Sequence, residues 1–232
     1  MSSAVGSDAF MIEMQESEMV QATFRNLTDL EHNLNLAIGP AAVGAERRRL
    51  PRAIAMTDAN RDVSAADLIA GLPRGGAIIL RHPDRDGLAA LARDVVPLAH
   101  RLGQRVLIAG APGLARALGA DGVHLPEALL RRHPAWARQR RQAGWIVTAA
   151  AHGGRALRRA AAAGVDAVLL SPVLPTASHP ERAALGVLRF AALCRSAPVG
   201  IFALGGIGLG ELRRLKGSGC AGVAGIGLFS GT

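Results

Sequence analysis

Residues 167–186 read AVLLSPVLPTASHPERAALG, a short apolar run followed by a loop rich in proline and hydroxyl groups. The run Ala167–Leu170 has the length and composition of a buried strand. Similar runs recur along the chain at Ala53–Met56, Ala77–Leu80, Val106–Ala109, Gly122–Leu125, Ile146–Ala149, Val199–Ala203 and Gly222–Ala224. Uninterrupted apolar runs of this kind are typical of parallel strands that are covered on both faces.

Segments of helical composition separate most of these runs. They are rich in Ala, Leu and Arg, and they include Leu88–Arg101, Ala128–Arg141, Gly154–Ala163 and Leu188–Arg195. The stretch ALGGIGLGEL at 203–212 predicts glycines and then a further helix. Eight strands alternating with helices predict a (β/α)8 TIM barrel over residues 51–232, with a doubly wound open sheet as the competing architecture. Only IGLFSGT follows the eighth strand, so the final helix is predicted to be truncated.

Residues 1–50 differ from the barrel segment and form a predicted N-terminal extension. Phe10, Met14, Val20 and Phe24 have helical spacing, whereas PAAVGAERRRLPR at 40–52 has the composition of a linker. The first 44 residues are acidic, and the positive excess of the chain lies after them. We hypothesise that residues 10–30 cover the barrel face that the truncated helix leaves bare.

Composition excludes several classes of protein. Half of the residues are hydrophobic, yet no apolar run reaches the roughly 18 residues that a membrane helix needs. The net charge of +9 comes almost entirely from scattered arginines, without aromatic residues among them to stack on bases, so nucleic acid is not the expected partner. The start of the chain lacks a signal-peptide pattern, and its two cysteines have no metal-ligand spacing. We therefore expect a reduced cytoplasmic protein.

The barrel rule predicts where the chemistry lies. Active sites of such barrels are built from the loops at the C-terminal ends of the strands, and the loops after strands seven and eight commonly bind phosphate. Here those two loops are GGIG and GIG, whose glycines allow backbone N–H groups to approach an anion or simply make tight turns. Asp121 and Asp166 stand at strand starts, on the opposite face, so a structural role is predicted for both.

Four stretches carry a resemblance to a known family. GADGVHLPE at 119–127, AVLLSPVLPT at 167–176, PVGIFALGGIG at 198–208 and GSGCAGVAGIG at 217–227 resemble the thiamine phosphate synthase/TenI family. The resemblance extends from about Ala53 to Phe229 and leaves the N-terminal extension uncovered. It implies the condensation of a hydroxymethylpyrimidine pyrophosphate with a thiazole phosphate, which yields thiamine phosphate and pyrophosphate.

The resemblance also assigns roles to particular residues. It implies that the thiazole phosphate is bound by two groups of residues, one in the glycine loops (Gly205, Gly206, Ile226 and Gly227) and one in the loop after strand six (Thr176, Ala177 and Ser178). Arg81 matches the arginine that binds pyrophosphate. His179 stands where the family has a lysine, and Arg81 and His179 are therefore the candidate catalytic residues. The implied partners are small phosphorylated molecules, and the sequence says nothing about the oligomeric state.

The implied cofactor is Mg²⁺, which needs hard oxygen ligands. The family's acidic positions correspond here to Ala109–Gly110 and to the region of Glu127, so Glu127 and Asp84 are the candidate replacement ligands. Two alternatives to a synthase stay open: a TenI-like relative that binds or isomerises thiazole phosphate, and a ligand-binding barrel without activity. Pro172 stands where the tautomerase histidine would fall. A Schiff-base aldolase is disfavoured because the sole lysine, Lys216, is predicted to lie far from the strand ends.

Overall fold

The computed structural model describes residues 30–35, 50–133, 144–176 and 180–229. Eight parallel strands close into a barrel in which each strand pairs with its neighbours in chain order and β8 pairs with β1. The fold prediction is confirmed. The strands are β1 Ala53–Met56, β2 Ala77–Leu80, β3 Arg105–Ala109, β4 Gly122–Leu125, β5 Ile146–Ala151, β6 Ala167–Leu170, β7 Gly200–Ala203 and β8 Gly222–Gly225.

Both faces of every strand are covered, which explains the uninterrupted apolar runs. Successive side chains of a strand point to opposite faces, so one set fills the barrel and the other packs beneath the helices. In β1, for example, Ile54 and Met56 belong to the interior group, whereas Ala53 and Ala55 belong to the group beneath the helices. The interior of the barrel is therefore a packed core rather than a channel.

In the described residues, helices follow six of the strands. In chain order they are α2 Ala65–Ala70, α3 Arg85–Arg101, α4 Pro112–Ala117, α5 Glu127–Arg132, α6 Gly154–Ala162 and α7 Val187–Ser196. The predicted helices correspond to α3, α5, α6 and α7, although the predicted end of α5 lies outside the described residues. The short helices α2 and α4 were not predicted. No described helix is both long enough and apolar enough to span a membrane.

The predicted helix after β7 is wrong. The chain forms only a 3-10 helix over Leu212–Leu215. Glycines lie on both sides of it, and the Glu211 carboxylate accepts a hydrogen bond from Gly208 N at 3.1 Å, which fixes a turn where a helix would begin. After β8 the described chain forms one further 3-10 helix, Gly227–Phe229. The prediction of a truncated ending is confirmed for the described residues.

One piece of the N-terminal extension packs on the barrel. Residues 30–35 form a helix, α1, whose Leu30 and Leu34 are 2% and 3% exposed and belong to the core shared with the helices of the barrel. Asn35 accepts a hydrogen bond from Arg52, the residue before β1. The helix proposed around Phe10–Phe24 lies outside the described residues.

Two aspartates tie strands together at the N-terminal face. Asp121, just before β4, accepts a hydrogen bond from Val106 N of β3 at 2.8 Å. Asp166, just before β6, accepts one from Val147 N of β5 at 2.7 Å. Because each carboxylate satisfies an amide of the preceding strand, the predicted structural role of both residues is confirmed.

Candidate active site

The loops after β6 and β7 pack tightly at the C-terminal ends of the strands, which we call the mouth of the barrel. Val173 N donates to Leu204 O at 2.9 Å and Leu174 N donates to Gly205 O at 3.1 Å. A Cβ atom on Gly206 would lie 2.4 Å from Pro175 O, and one on Gly205 would lie 2.9 Å from Pro172 Cα. Both glycines also have positive φ angles, of +90° and +69° for Gly205 and Gly206. Only glycine therefore fits at these two positions.

Backbone donors at the end of β7 are available to an anion. Within the described part of the chain, the N–H groups of Gly206 and Ile207 donate no hydrogen bond. Gly206 is partly exposed, and Ile226 and Gly227 directly follow the adjacent strand β8 at the same mouth. Consecutive amides of this kind form an anion-binding concavity. The four residues assigned to the thiazole phosphate by resemblance are thus brought to one edge of the barrel.

The remaining residues assigned to the thiazole phosphate lie in the loop after β6. Thr176 is partly buried and follows the segment that packs on the β7 loop. Ala177, Ser178 and His179 lie outside the described residues. Their predicted roles stay predictions.

Arg81 is fixed at the end of β2 by the end of β1. Its Nε donates to Thr57 O at 3.0 Å, and its Nη2 lies 3.2 Å from Asp58 Oδ2. Thr57 Oγ1 accepts from Arg81 N at 2.8 Å and donates to Arg81 O at 2.9 Å, so backbone and side chain are both held. The side chain is nevertheless 44% exposed. An oriented, partly exposed guanidinium of this kind is suited to bind phosphate oxygens.

A neutral histidine lies inside the barrel below this arginine. His124 Nδ1 and Thr148 Oγ1 are 2.9 Å apart, and both side chains are buried. Burial, and to a lesser degree the positive charge of Arg81, lowers the pKa of His124 from its ordinary 6.5 to about 3. His124 is thus a packed, hydrogen-bonded histidine of the barrel interior. Thr148 was missed, although a hydroxyl in the otherwise apolar run IVTAAA of β5 was a usable signal.

The Glu127 carboxylate lies against a histidine and an arginine. Its Oε2 lies 2.7 Å from His152 Nδ1, at the end of β5, and its Oε1 lies 3.7 Å from an Nη atom of Arg159 in α6. Arg159 was not singled out from the sequence. His152 and Glu127 are 25 residues apart in sequence, and the closed barrel brings their side chains together.

Asp84 serves as the N-cap of α3. Its Oδ1 accepts from Gly87 N at 2.7 Å, and its Oδ2 lies 2.9 Å from His82 Nδ1. The hydrogen bond from Gly87 N is the main cause that lowers the pKa of the Asp84 carboxyl below its usual range. This geometry is the ordinary capping arrangement of an aspartate before a helix.

The described residues do not fit the implied Mg²⁺. Glu127 and Asp84, the candidate ligands, each have both carboxylate oxygens engaged by other groups of the protein. Among the residues that the structure describes, no group of three or more His, Cys, Asp or Glu side chains is placed to hold a metal ion.

The fold and the mouth together define a (β/α)8 barrel with glycine-rich loops after β7 and β8, and comparison with known proteins agrees with this class. The sequence model of the family described as Thiamine monophosphate synthase matches residues 54–229. The chain belongs to this family, and its thiamine-phosphate synthase relatives indicate that it is a transferase.

Individual relatives lie at modest identity. An Aquifex aeolicus (strain VF5) protein provisionally named thiamine-phosphate synthase 2 is 29% identical over 185 residues, which cover 78% of this chain and 98% of the relative. Thiamine-phosphate synthase of Myxococcus xanthus (strain DK1622) is 33% identical over 177 residues, or 73% of this chain and 80% of the relative. The solved structure of thiamine phosphate pyrophosphorylase from Pyrococcus furiosus is 20% identical, with a TM-score of 0.63 over 80% of this chain and 90% of that chain. The last likeness concerns the fold.

Proposed function

We propose that this protein is a thiamine phosphate synthase, which joins a hydroxymethylpyrimidine pyrophosphate to a thiazole phosphate. The thiazole nitrogen forms a bond to the pyrimidine methylene carbon, and the bond from that carbon to pyrophosphate oxygen breaks. The products are thiamine phosphate and pyrophosphate. Membership of the thiamine monophosphate synthase family supports this proposal.

The observation that carries the proposal is the pair of donors at Gly206 and Ile207. Their N–H groups make no hydrogen bond within the described residues, and the packed β6 loop holds their backbone in one conformation. A phosphate bound there, with Ile226 and Gly227 beside it, would anchor the thiazole at one side of the mouth. Such preorganised donors bind an anion without first having to become ordered.

Arg81 is the residue that we assign to the pyrophosphate. Its Nε and Nη2 contact residues that follow β1, and its 44% exposed side chain leaves further N–H groups for a ligand. As the carbon–oxygen bond breaks, negative charge grows on the leaving group, and a fixed guanidinium stabilises that charge. His124 remains neutral beneath it, because a second positive charge in the closed interior would be costly.

The second candidate is a barrel that binds or isomerises thiazole phosphate without condensing it. The paired carboxylates of Glu127 and Asp84 favour it, because neither is free to hold the metal that the synthase resemblance implies. Pro172 at the start of the β6 loop argues against the simple tautomerase. A ligand-binding barrel without activity would use the same phosphate loops.

Incubation with both substrates distinguishes these functions. The purified full-length chain, given the pyrimidine pyrophosphate and the thiazole phosphate with Mg²⁺, is expected to release thiamine phosphate and pyrophosphate in equal amounts. Tight thiazole phosphate binding by calorimetry without any product would reject the synthase and leave the binding barrel. We further propose a reducing compartment, the cytoplasm, since Cys194 and Cys220 are both buried free thiols.

A further inference from the structure

Three carboxylates at the mouth are each neutralised or capped by the protein itself. Asp58, after β1, accepts from Asn60 N through Oδ1 at 3.1 Å and pairs with Arg81 through Oδ2 at 3.2 Å. Asp84 and Glu127, described above, likewise have both of their oxygens engaged. A divalent cation at any of the three would have to displace or approach a cationic group or a helix cap.

The strand between them offers no replacement. β3 ends at Ala109 and is followed by Gly110, neither of which has a side-chain oxygen, and Gly110 N donates a hydrogen bond to His124 O at 2.9 Å. Mg²⁺ is held by carboxylates and substrate phosphates in near-octahedral geometry, and it gives up its own waters reluctantly. The mouth therefore lacks a free protein oxygen set for such an ion within the described residues.

Cationic side chains occupy the same region. Arg81 is fixed by β1 and is 44% exposed, and Arg159 lies against Glu127 with its side chain 27% exposed. Guanidinium groups neutralise phosphate oxygens directly and with defined geometry. The positive charge that a metal ion would supply to a leaving pyrophosphate is thus available from the chain itself.

We propose that the mouth of this barrel holds no divalent metal ion through Glu127 or Asp84, so that the pyrophosphate group assigned to Arg81 above is bound without a metal bridge to either carboxylate. This inference rests on the proposed function for the choice of pyrophosphate as ligand. It concerns only how the anion is bound, so it can be tested without turnover.

The first test measures metal binding by the full-length chain alone. Mn²⁺ serves as the probe for Mg²⁺, and its free form is followed by electron paramagnetic resonance. We expect no saturable Mn²⁺ binding below about millimolar concentration, because one or two engaged carboxylates make a weak site for a hard cation. Micromolar Mn²⁺ binding that Glu127→Gln or Asp84→Asn abolishes would overturn the inference.

The second test measures inorganic pyrophosphate binding by calorimetry in EDTA and in Mg²⁺. We expect saturable binding in EDTA that Mg²⁺ does not tighten. Arg81→Gln is expected to weaken it by about tenfold or more, since a charge-assisted hydrogen bond is lost. Arg93→Gln, which removes an exposed arginine in the middle of α3, is the matched control and should leave the affinity unchanged. Binding that appears only with Mg²⁺, or that ignores Arg81→Gln, would refute direct binding.

Two further measurements distinguish a binding role of Arg81 from a structural one, and this inference from the proposed synthase activity. Arg81→Lys retains the charge and should recover part of the affinity for pyrophosphate that Arg81→Gln loses. If both variants lose the same affinity and both have a lowered melting temperature, Arg81 has a purely structural role and the inference is overturned. Thiamine phosphate formation is assayed on the same samples. Absence of product with metal-independent pyrophosphate binding intact would reject the synthase and leave this inference standing.

Discussion

Replacement of Gly206 by alanine tests whether the β6 loop and the β7 loop form one rigid anion site. The new Cβ atom would lie 2.4 Å from Pro175 O and 2.8 Å from Leu174 C, both backbone atoms that cannot rotate away. The φ angle of +69° adds a second cost for any L-residue with a side chain. The β6 loop must therefore move, and Thr176 with it.

Two controls separate these costs. Gly119 has nearly the same φ, +68°, but nothing within 4 Å of an added Cβ, so Gly119→Ala isolates the backbone cost of about 1–2 kcal/mol. Gly113, inside α4, has neither problem, so Gly113→Ala should raise stability by up to about 1 kcal/mol. Gly206→Ala carries both costs, and overpacking of about 1–3 kcal/mol brings its expected loss to about 2–5 kcal/mol.

Urea unfolding of the three variants gives the free energies, and calorimetry gives the affinity for the thiazole phosphate. We expect Gly206→Ala alone to weaken that affinity, by tenfold or more, because it alone displaces the site. The reasoning fails if Gly206→Ala is no less stable than Gly119→Ala and binds the ligand as well as the parent chain does.

The remaining predictions concern the core, the barrel floor and the extension. Because the pKa of His124 is lowered, the unfolded chain binds a proton at this residue below about pH 6.5, whereas the folded chain binds it only near pH 3. The free energy of unfolding should therefore decrease as the pH is lowered through this window, by up to about 1.4 kcal/mol per pH unit. Urea unfolding between pH 7 and 5 should show a flatter dependence in His124→Asn, and equal slopes would contradict the assignment. Asp166→Ala should cost about 1–3 kcal/mol by leaving Val147 N without its partner, with thiazole phosphate affinity unchanged; a loss of affinity would disprove a purely structural role. Deletion of residues 1–45 should lower the melting temperature, because it removes Leu30 and Leu34 of α1 from the core. An unaltered melting temperature would exclude a stabilising role of the N-terminal extension.

The strands of the barrel could be predicted because their pattern is local. A run such as Ala167–Leu170 is apolar throughout, and burial on both faces is the condition that permits this. The short helices α2 and α4 escaped prediction because six residues give less than two turns of periodicity. The helix expected after β7 failed because Gly208 and the Glu211 side chain favour a turn there.

The candidate site was predictable in position but only partly in its contacts. The barrel rule directs attention to Gly205 and Gly206, yet the reason that they are glycines is the approach of Pro172 and Pro175, which no local pattern reveals. The pairing of Glu127 with His152 joins two different strand ends, so it depends on the closed barrel. The capping role of Asp84, by contrast, could have been predicted from the sequence, since an aspartate before a helix is a capping signal.

The hydrogen bonds of Asp121 and Asp166 at the N-terminal face belong to a pattern that recurs at every second strand pair from β3–β4 onward. Asp121 N donates to Val106 O, Asp166 N donates to Val147 O, and Ala221 N donates to Ile201 O in the same way between β7 and β8. At the first two positions the aspartate carboxylate makes a second hydrogen bond to the preceding strand, whereas Ala221 has no side-chain group that could make one. β7 and β8 are also joined by only two paired residues, against three or four at every other strand pair of the described barrel.

The barrel is therefore expected to open most readily along the boundary between β7 and β8. Local opening begins where the fewest bonds must break, and amide hydrogen exchange in β8 would report it. The loops at the far end of this same boundary are those that would bind the thiazole phosphate. A ligand that contacts both loops would connect β7 and β8 across this boundary. Ligand binding would therefore stabilise the closed barrel against local opening.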